Sequence, residues 1–434
     1  MVAAAATLAA PAVARSQTAT VTEDPPVSQL ERSGTRVVGF TDAEMDFQLM
    51  RQMGATRYGG ASVGECLALV QRIRDADPES WITEFAAIAA RQKQDAEDRL
   101  KRNHRLSARD QYLVASNSFR AAEYYCVADD PRHATLGLES RDCFLAAMQA
   151  GGIACEALDL TLDSRALPAY FFPGPAPADG SGKTLLIISG YDGTLEETWL
   201  AYGRAALERG YNLMLFTGPG QMDTLRRYPG ITFIPDFERI GHVALDEVLA
   251  RPGVDPDRVA LMGISYGGHF STRIAAHEPR VRALIANSPI VDLHAYMTSF
   301  VGFDPEELSD TDDIRLADLD HIPEGEIPPQ TLMMMRNLML RVGGESFKDT
   351  YRRLRAFRLS DENLAAIACP SLALVGEGEG GEPLAQSEHF CRTVSGPVSQ
   401  HVFTREEGAD GHCQTLNLAY SAAVSMDWLD EVFA

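Results

Sequence analysis

Val259-Ala260-Leu261-Met262-Gly263-Ile264-Ser265-Tyr266-Gly267-Gly268, residues 259–268, is the stretch on which the fold turns. An apolar run with strand character ends in a serine set between glycines, and the residues that follow, to about Pro279, recur at helical spacing. A G-x-S-x-G turn between a buried strand and a helix holds its serine in a strained bend, and the small neighbours let strand and helix approach closely. Such a turn lifts a hydroxyl clear of the sheet edge, which an ordinary core strand does not need. The spacing marks Ser265 as a candidate nucleophile at the end of a sheet strand.

Outward from this point, strands and helices alternate. "KTLLIISG", "YNLMLFTG", "RVALMGI" and "VRALIANSP" read as strands, with helical sequence between them. That order predicts an α/β protein with a mostly parallel sheet covered by helices on both faces. Upstream, "CEALDLTLDSRALPAYFFPG" alternates like a hairpin, and 173–182 reads as a surface loop. Residues 42 to about 152 recur at three-and-four spacing throughout, so 27–152 is expected to form a helical domain ahead of a catalytic domain over 153–434. Between about 292 and 365 the alternation stops and helical sequence intervenes, as expected of a cap inserted between two sheet strands. "PSLALVGE", "SQHVFTRE" and a last amphipathic helix then complete the sheet.

A serine hydroxyl is a poor nucleophile until a base takes its proton, and a carboxylate must hold that base in the right tautomer. In this arrangement the acid follows the next-to-last strand and the histidine follows the last. His104, His133 and His242 precede the serine, His269 and His277 lie on its own helix, and His294 and His321 fall in the insertion. His389 falls in a helix and His401 in a strand. His412, in the glycine-containing loop "EEGADGHCQ", is the expected base. For the acid, "LVGEGEGGEP" offers Glu379, far enough beyond the strand to turn back toward His412, with Glu377 as the alternative. Oxyanion donors are expected from the backbone N–H groups of Tyr266, by position, and Tyr191, in the loop after "TLLIISG". Asp192 beside it reads either as an auxiliary acid or as a carboxylate at a helix N-terminus.

Other readings fail on their own terms. Gly376, Gly378 and Gly381 match G-x-G-x-x-G, but the glutamates inside the turn would repel a pyrophosphate. "GSGKT" at 180–184 has Pro177 where a phosphate loop needs its first glycine. Acidic residues outnumber basic ones 61 to 39, and the net charge of −22 makes nucleic acid or an anionic membrane surface an unattractive partner. Seven cysteines, at 66, 126, 143, 155, 369, 391 and 413, show no metal-type spacing and read as small apolar residues. No metal site or cofactor is expected. Tyr124, Tyr125, Tyr191 and the run Met333-Met334-Met335 suggest an apolar, aromatic-tolerant pocket, although a methionine run on a helix also serves core packing. Residues 1–26 hold an alanine-rich apolar run and Ala12-Val13-Ala14, which reads either as an export signal, placing the protein in the periplasm or outside the cell, or as a tail of a cytoplasmic protein. No segment has the eighteen or so consecutive apolar residues of a membrane span.

"SGYDGTLEE", "GISYGG" and "GADGHCQ", behind a long helical N-terminal region, together resemble the α/β-hydrolase branch of 2,6-dihydroxypseudooxynicotine hydrolase and the FrsA-like and fungal polyketide-pathway hydrolases. The likeness covers about residues 40–434. It implies an α/β-hydrolase fold, a serine hydrolase acting on a small-molecule substrate, a pocket covered jointly by the helical N-terminal segment and the insertion, and a homodimer. In the pseudooxynicotine branch the triad acid is aspartate, and a second carboxylate follows the first long strand of an enzyme that breaks a carbon–carbon bond beside a ketone. Asp192 stands at that second position, one methylene shorter, and Glu379 stands where aspartate is expected. An ester or lactone hydrolase is the leading expectation, with carbon–carbon hydrolysis and a hydrolase-fold binding protein without turnover as alternatives.

Overall fold

The computed structural model describes residues 39–175, 182–323 and 325–434; the expected signal or tail over 1–26 lies outside them. Five helices come first: α1 (Ala43–Gly54), α2 (Val63–Val70), α3 (Pro78–Lys101), α4 (Arg105–Tyr124) and α5 (Pro131–Gly151). Local chemistry sets their ends. Asp77 caps α3 by accepting the Ser80 N–H, with Pro78 in the first turn, and Asp130 and Pro131 start α5, which Gly152 ends in the left-handed region at φ 65°. Helical spacing continues past α2, in "SVGECLALVQRIRDA", but the helix stops at Val70 because the next residues have other partners. Asp75 accepts the Thr41 and Asp42 N–H groups, and the Arg74 N–H donates to Ser80 Oγ.

A hairpin follows, β1 (Glu156–Leu162) and β2 (Arg165–Phe172), turned by Asp163 and Ser164 at φ 49° and 63°. The alternating part is β3 (Gly182–Ile188), α6 (Leu195–Thr198), a π-helical turn over Trp199–Gly203, α7 (Arg204–Glu208), β4 (Asn212–Phe216), α8 (Met222–Leu225), α9 (Glu238–Leu249), β5 (Val254–Ile264), α10 (Tyr266–His277) and β6 (Ala283–Asn287). The insertion supplies α11 (Leu293–Val301), α12 (Pro329–Val342), α13 (Phe347–Leu354) and α14 (Asp361–Ala365). Then β7 (Ser371–Gly376), α15 (Gly381–Thr393), β8 (Val398–Phe403) and α16 (Leu418–Val432) complete the described chain.

The eight strands form one sheet in the order β1-β2-β4-β3-β5-β6-β7-β8, parallel from β4 through β8 and antiparallel at the hairpin edge. Successive strand residues point to opposite faces, and both faces are covered. Leu185, Ile187, Ala260 and Met262 belong to one apolar cluster with α3, α4, α5 and α16, whereas Leu186, Ile188, Val259 and Leu261 belong to another with α9, α10 and the insertion. Continuous apolar runs such as "TLLII" are the signature of strands buried on both sides.

Charge also joins the helical layer to the sheet. Arg226, just past α8, binds Glu123 of α4 through two 2.7 Å hydrogen bonds and lies 2.8 Å from Asp223 and 3.3 Å from Glu196, all four buried. Three carboxylates face one guanidinium, so a proton is retained: burial raises the Asp223 pKa, Arg226 opposes, and Glu196 and Glu123 add to the rise, leaving it at about 8. Removing one partner from such a cluster strands buried charge. Glu123→Ala is expected to cost about 3 kcal/mol in urea unfolding, the lower end for a broken buried pair, because Asp223 can ionise in its place; an unchanged midpoint would show the network to be energetically neutral.

Candidate active site

Ser265 follows β5, which lies inside the sheet between β3 and β6, and has φ 59° and ψ −126°, a conformation that non-glycine residues rarely adopt. The surroundings over-determine it: the Ser265 N–H donates to Asn287 O at 2.5 Å, and its carbonyl accepts the Gly268 N–H at 2.7 Å. A Cβ on Gly263 would lie 1.8 Å from Gly267 O, so strand and helix pass too close for any side chain there.

His412 comes from the loop after β8. Its Nε2 lies 2.9 Å from Ser265 Oγ and its Nδ1 2.6 Å from Glu379 Oε2. Glu379 ends a 3-10 turn after β7 and is itself held, accepting Ser288 Oγ–H at 2.9 Å and the Gly376 N–H at 2.8 Å. Ser265 is half-buried, and His412 and Glu379 are buried. Burial works against a charge on His412, and the Cys413 sulfur and the Glu379 carboxylate outweigh it, so its pKa lies above the ordinary imidazole range. A thiol contributes only when ionised, whereas a carboxylate is charged near neutrality, so Glu379 is the partner that counts there.

The structure brings Ser265, His412 and Glu379 into one hydrogen-bonded line. Glu377, the alternative acid, does not make this contact: it is exposed, and its Oε1 accepts the Arg405 N–H at 2.7 Å. Gly190, before Tyr191, lies against the serine turn, where a Cβ would fall 2.6 Å from Ser265 Cβ and 2.8 Å from Tyr266 N. The amides of Tyr191 and Tyr266 are thereby on adjoining backbone. Asp192 is not the cap of the following helix; Thr194 is, accepting the Glu197 N–H at 3.2 Å. Asp192 instead lies 3.2 Å from Arg51 Nη1 of α1, whose Nε donates to Glu197 at 2.5 Å. Burial opposes the Arg51 charge, but Asp192 and Glu197 raise its pKa well above the usual guanidinium value.

A cavity of about 60 Å³ opens on Ser265, His412 and Asp192, with Phe47, Leu200 and Leu418 among its walls. Tyr124, Tyr125, Tyr191 and the run Met333–Met335 are not part of that wall. Tyr191 packs against Phe233 and Tyr266, whereas Tyr124 and Tyr125 pack in the helical layer with Trp81, and Tyr124 Oη donates to Glu44 at 2.6 Å. Ser288, Cys413 and Arg51 escaped the sequence reading. Cys413 Sγ lies 3.4 Å from His412 Nε2, which chain adjacency could have suggested, whereas nothing in the spacing ties Arg51 to Asp192, 141 residues on. Among the described residues no group of three or more His, Cys, Asp or Glu side chains could hold a metal ion, and no helix is long and apolar enough to cross a membrane.

A mostly parallel sheet with a strained serine turn at its centre defines the class, an α/β-fold hydrolase. Residues 241–334, which include that turn, match the prolyl oligopeptidase family (Peptidase_S9). The chain is 31% identical over 366 residues to the α/β hydrolase xenA of Xenoacremonium sinensis, covering 79% of this chain and 84% of the relative. It is 30% identical over 425 residues to the hydrolase LUC6 of Fusarium sp, covering 91% and 97%. Among solved structures, 2,6-dihydroxy-pseudo-oxynicotine hydrolase superposes with a TM-score of 0.67 at 22% identity, covering 88% of this chain and 95% of the other, a likeness of fold. The chain belongs to the α/β-hydrolase family.

Proposed function

We propose that the protein is a serine hydrolase that cleaves a carboxylic ester or lactone of a small, largely apolar organic substrate through an acyl enzyme. The observation that carries this reading is the Ser265–His412–Glu379 line, with contacts of 2.9 and 2.6 Å. Ser265 Oγ attacks the carbonyl carbon as His412 Nε2 takes its proton, and Glu379 holds Nδ1 and stabilises the imidazolium that forms. The tetrahedral oxyanion is received by the Tyr191 and Tyr266 N–H groups. His412 then gives its proton to the leaving alkoxide, and water clears the acyl group by the same steps in reverse roles. The apolar walls and small volume of the cavity support a compact acyl group. The helical layer contributes Phe47 and Arg51 to that cavity, which supports the division into a covering helical domain and a catalytic domain. The homodimer implied by the resemblance belongs to the same proposal. Intact-mass analysis after exposure to a fluorophosphonate tests the reading: one adduct, on the peptide containing Ser265, is expected, and no adduct on folded protein would favour a binding protein without turnover.

Asp192 bears on the second reading, hydrolysis of a carbon–carbon bond, because a leaving carbanion needs a proton donor. It faces the same cavity as Ser265, but its carboxylate is already engaged by Arg51, 3.2 Å away, rather than left free to serve a leaving group. Asp192→Asn is therefore expected to leave kcat for an ester within about threefold. A much larger loss confined to a ketone substrate would restore carbon–carbon cleavage as the leading reaction.

A further inference from the structure

The loop after β3 carries Ser189, Gly190 and Tyr191, and the loop after β4, the adjacent strand, carries Gly218, Pro219, Gly220 and Gln221. Gln221 stands at the N-cap of α8, yet its side chain makes no cap hydrogen bond. It reaches across to the other loop. Nε2 donates to Ser189 O at 2.6 Å and Gly190 O at 3.0 Å, and Oε1 accepts the Gly218 N–H at 2.7 Å. This carboxamide is fully buried and uses both hydrogens on one loop and its oxygen on the other, so any rotation leaves a buried polar group without a partner.

Arg341 of α12 adds a second hold. Its guanidinium donates to Gly220 O at 2.7 and 3.0 Å and to Tyr191 O, and lies 3.7 Å from the centre of the Tyr191 ring. Its oxygen partners are backbone carbonyls, so its bonds hold loop backbone in place.

The carbonyl and N–H of a trans peptide point in opposite directions. Gly190 O and the Tyr191 N–H belong to one peptide plane, and Gly190 lies against Ser265 and Tyr266 N. The plane that Gln221 pins is thus the one beside the proposed nucleophile. We propose that Gln221 is a positioning residue that aims the Tyr191 N–H at the oxyanion, with Arg341 securing the next plane. This rests on the serine mechanism proposed above. A donor aimed in this way acts as charge develops in the transition state and contributes little to ground-state binding.

The test compares an ester with its thionoester, whose sulfur accepts hydrogen bonds poorly, in the full chain and in Gln221→Met and Gln221→Glu. Gln221→Met removes the two donated bonds. Gln221→Glu keeps an acceptor for the Gly218 N–H but sets an oxygen against two carbonyls. In both, kcat for the ester is expected to fall about 10- to 100-fold with KM within about threefold. Thionoester turnover should fall much less, so the ratio between the substrates shrinks. Unchanged kcat, or equal slowing of both substrates, would overturn the inference. Should neither variant fold, the natural protein bound to a trifluoromethyl ketone through Ser265 decides: Tyr191 N is expected about 3 Å from the alkoxide with the Gln221 bond to Gly190 O intact, and an alkoxide bound without Tyr191 N–H overturns it. Ester turnover that survives Ser265→Ala would remove the serine mechanism, and this proposal with it, whereas loss of turnover in Ser265→Ala beside unaffected Gln221 variants removes only the latter.

Discussion

Ser265→Ala is expected to abolish both ester turnover and fluorophosphonate labelling. The loss of kcat should be about 10⁴-fold or more, the scale on which removal of a triad nucleophile leaves only the contributions of oxyanion donors and binding. The fold should tolerate the change, since alanine deletes one hydroxyl from a half-buried position. The strained φ of 59° is held by the Asn287 and Gly268 backbone bonds, which do not depend on the side chain. A melting curve beside the kinetic assay separates the two effects. Retained turnover at a tenth of the natural rate or better would place the nucleophile elsewhere and end the serine reading.

Glu379→Gln should produce the second largest effect, and one with a direction in pH. An amide can still bond Nδ1, but it favours the wrong tautomer and cannot stabilise the imidazolium, so kcat is expected to fall about 10³- to 10⁴-fold. A general base works in its neutral form, which is lost as pH falls through its pKa. The His412 pKa is raised, so the acidic limb of kcat/KM in the natural protein should lie above the ordinary imidazole value of about 6.5. Without the carboxylate the imidazolium is favoured less, and the limb should move to lower pH. A pH profile of the variant checks this; a limb that stays in place while kcat falls would mean that another group sets it.

Local signals carried much of this architecture. The serine turn needed only five residues, because its spacing and the strand before it are contiguous in the chain. His412, the proposed base, was singled out by chain order, since the loop after the last strand is a topological position that can be counted, and it lies beside Ser265. The choice between Glu379 and Glu377 could not be made that way. Two residues apart in one turn, they differ in which way the backbone aims them, and Ser288 and the Gly376 N–H make that choice from outside the segment. The two readings of Asp192, auxiliary acid or helix-terminal carboxylate, could not be separated in the sequence because its partner, Arg51, arrives from a separate layer. Gln221 left no trace either: a glutamine before a short helix looks like an ordinary boundary until the adjacent strand's loop is in view. The extent of α2 failed for the same reason, since Thr41, Asp42 and Ser80 compete for residues that alone would continue the helix.

The apolar cluster shared by α3, α4 and α5 with the sheet, and the Arg226 network that crosses between them, bear on cooperativity. Freeing the helical layer would expose one face of the sheet and leave Arg226 and its carboxylates to be rehydrated together, a cost on the scale of global unfolding. Ala55, at the cavity wall, belongs to that same cluster, and α1, which carries Phe47 to the wall, packs in the helical layer beside it, so opening this wall is expected to be coupled to loosening of the layer. On the proposed acyl-enzyme mechanism, selection among acyl groups is then expected to be steric, and altering Phe47 or Ala55 is expected to change which groups fit.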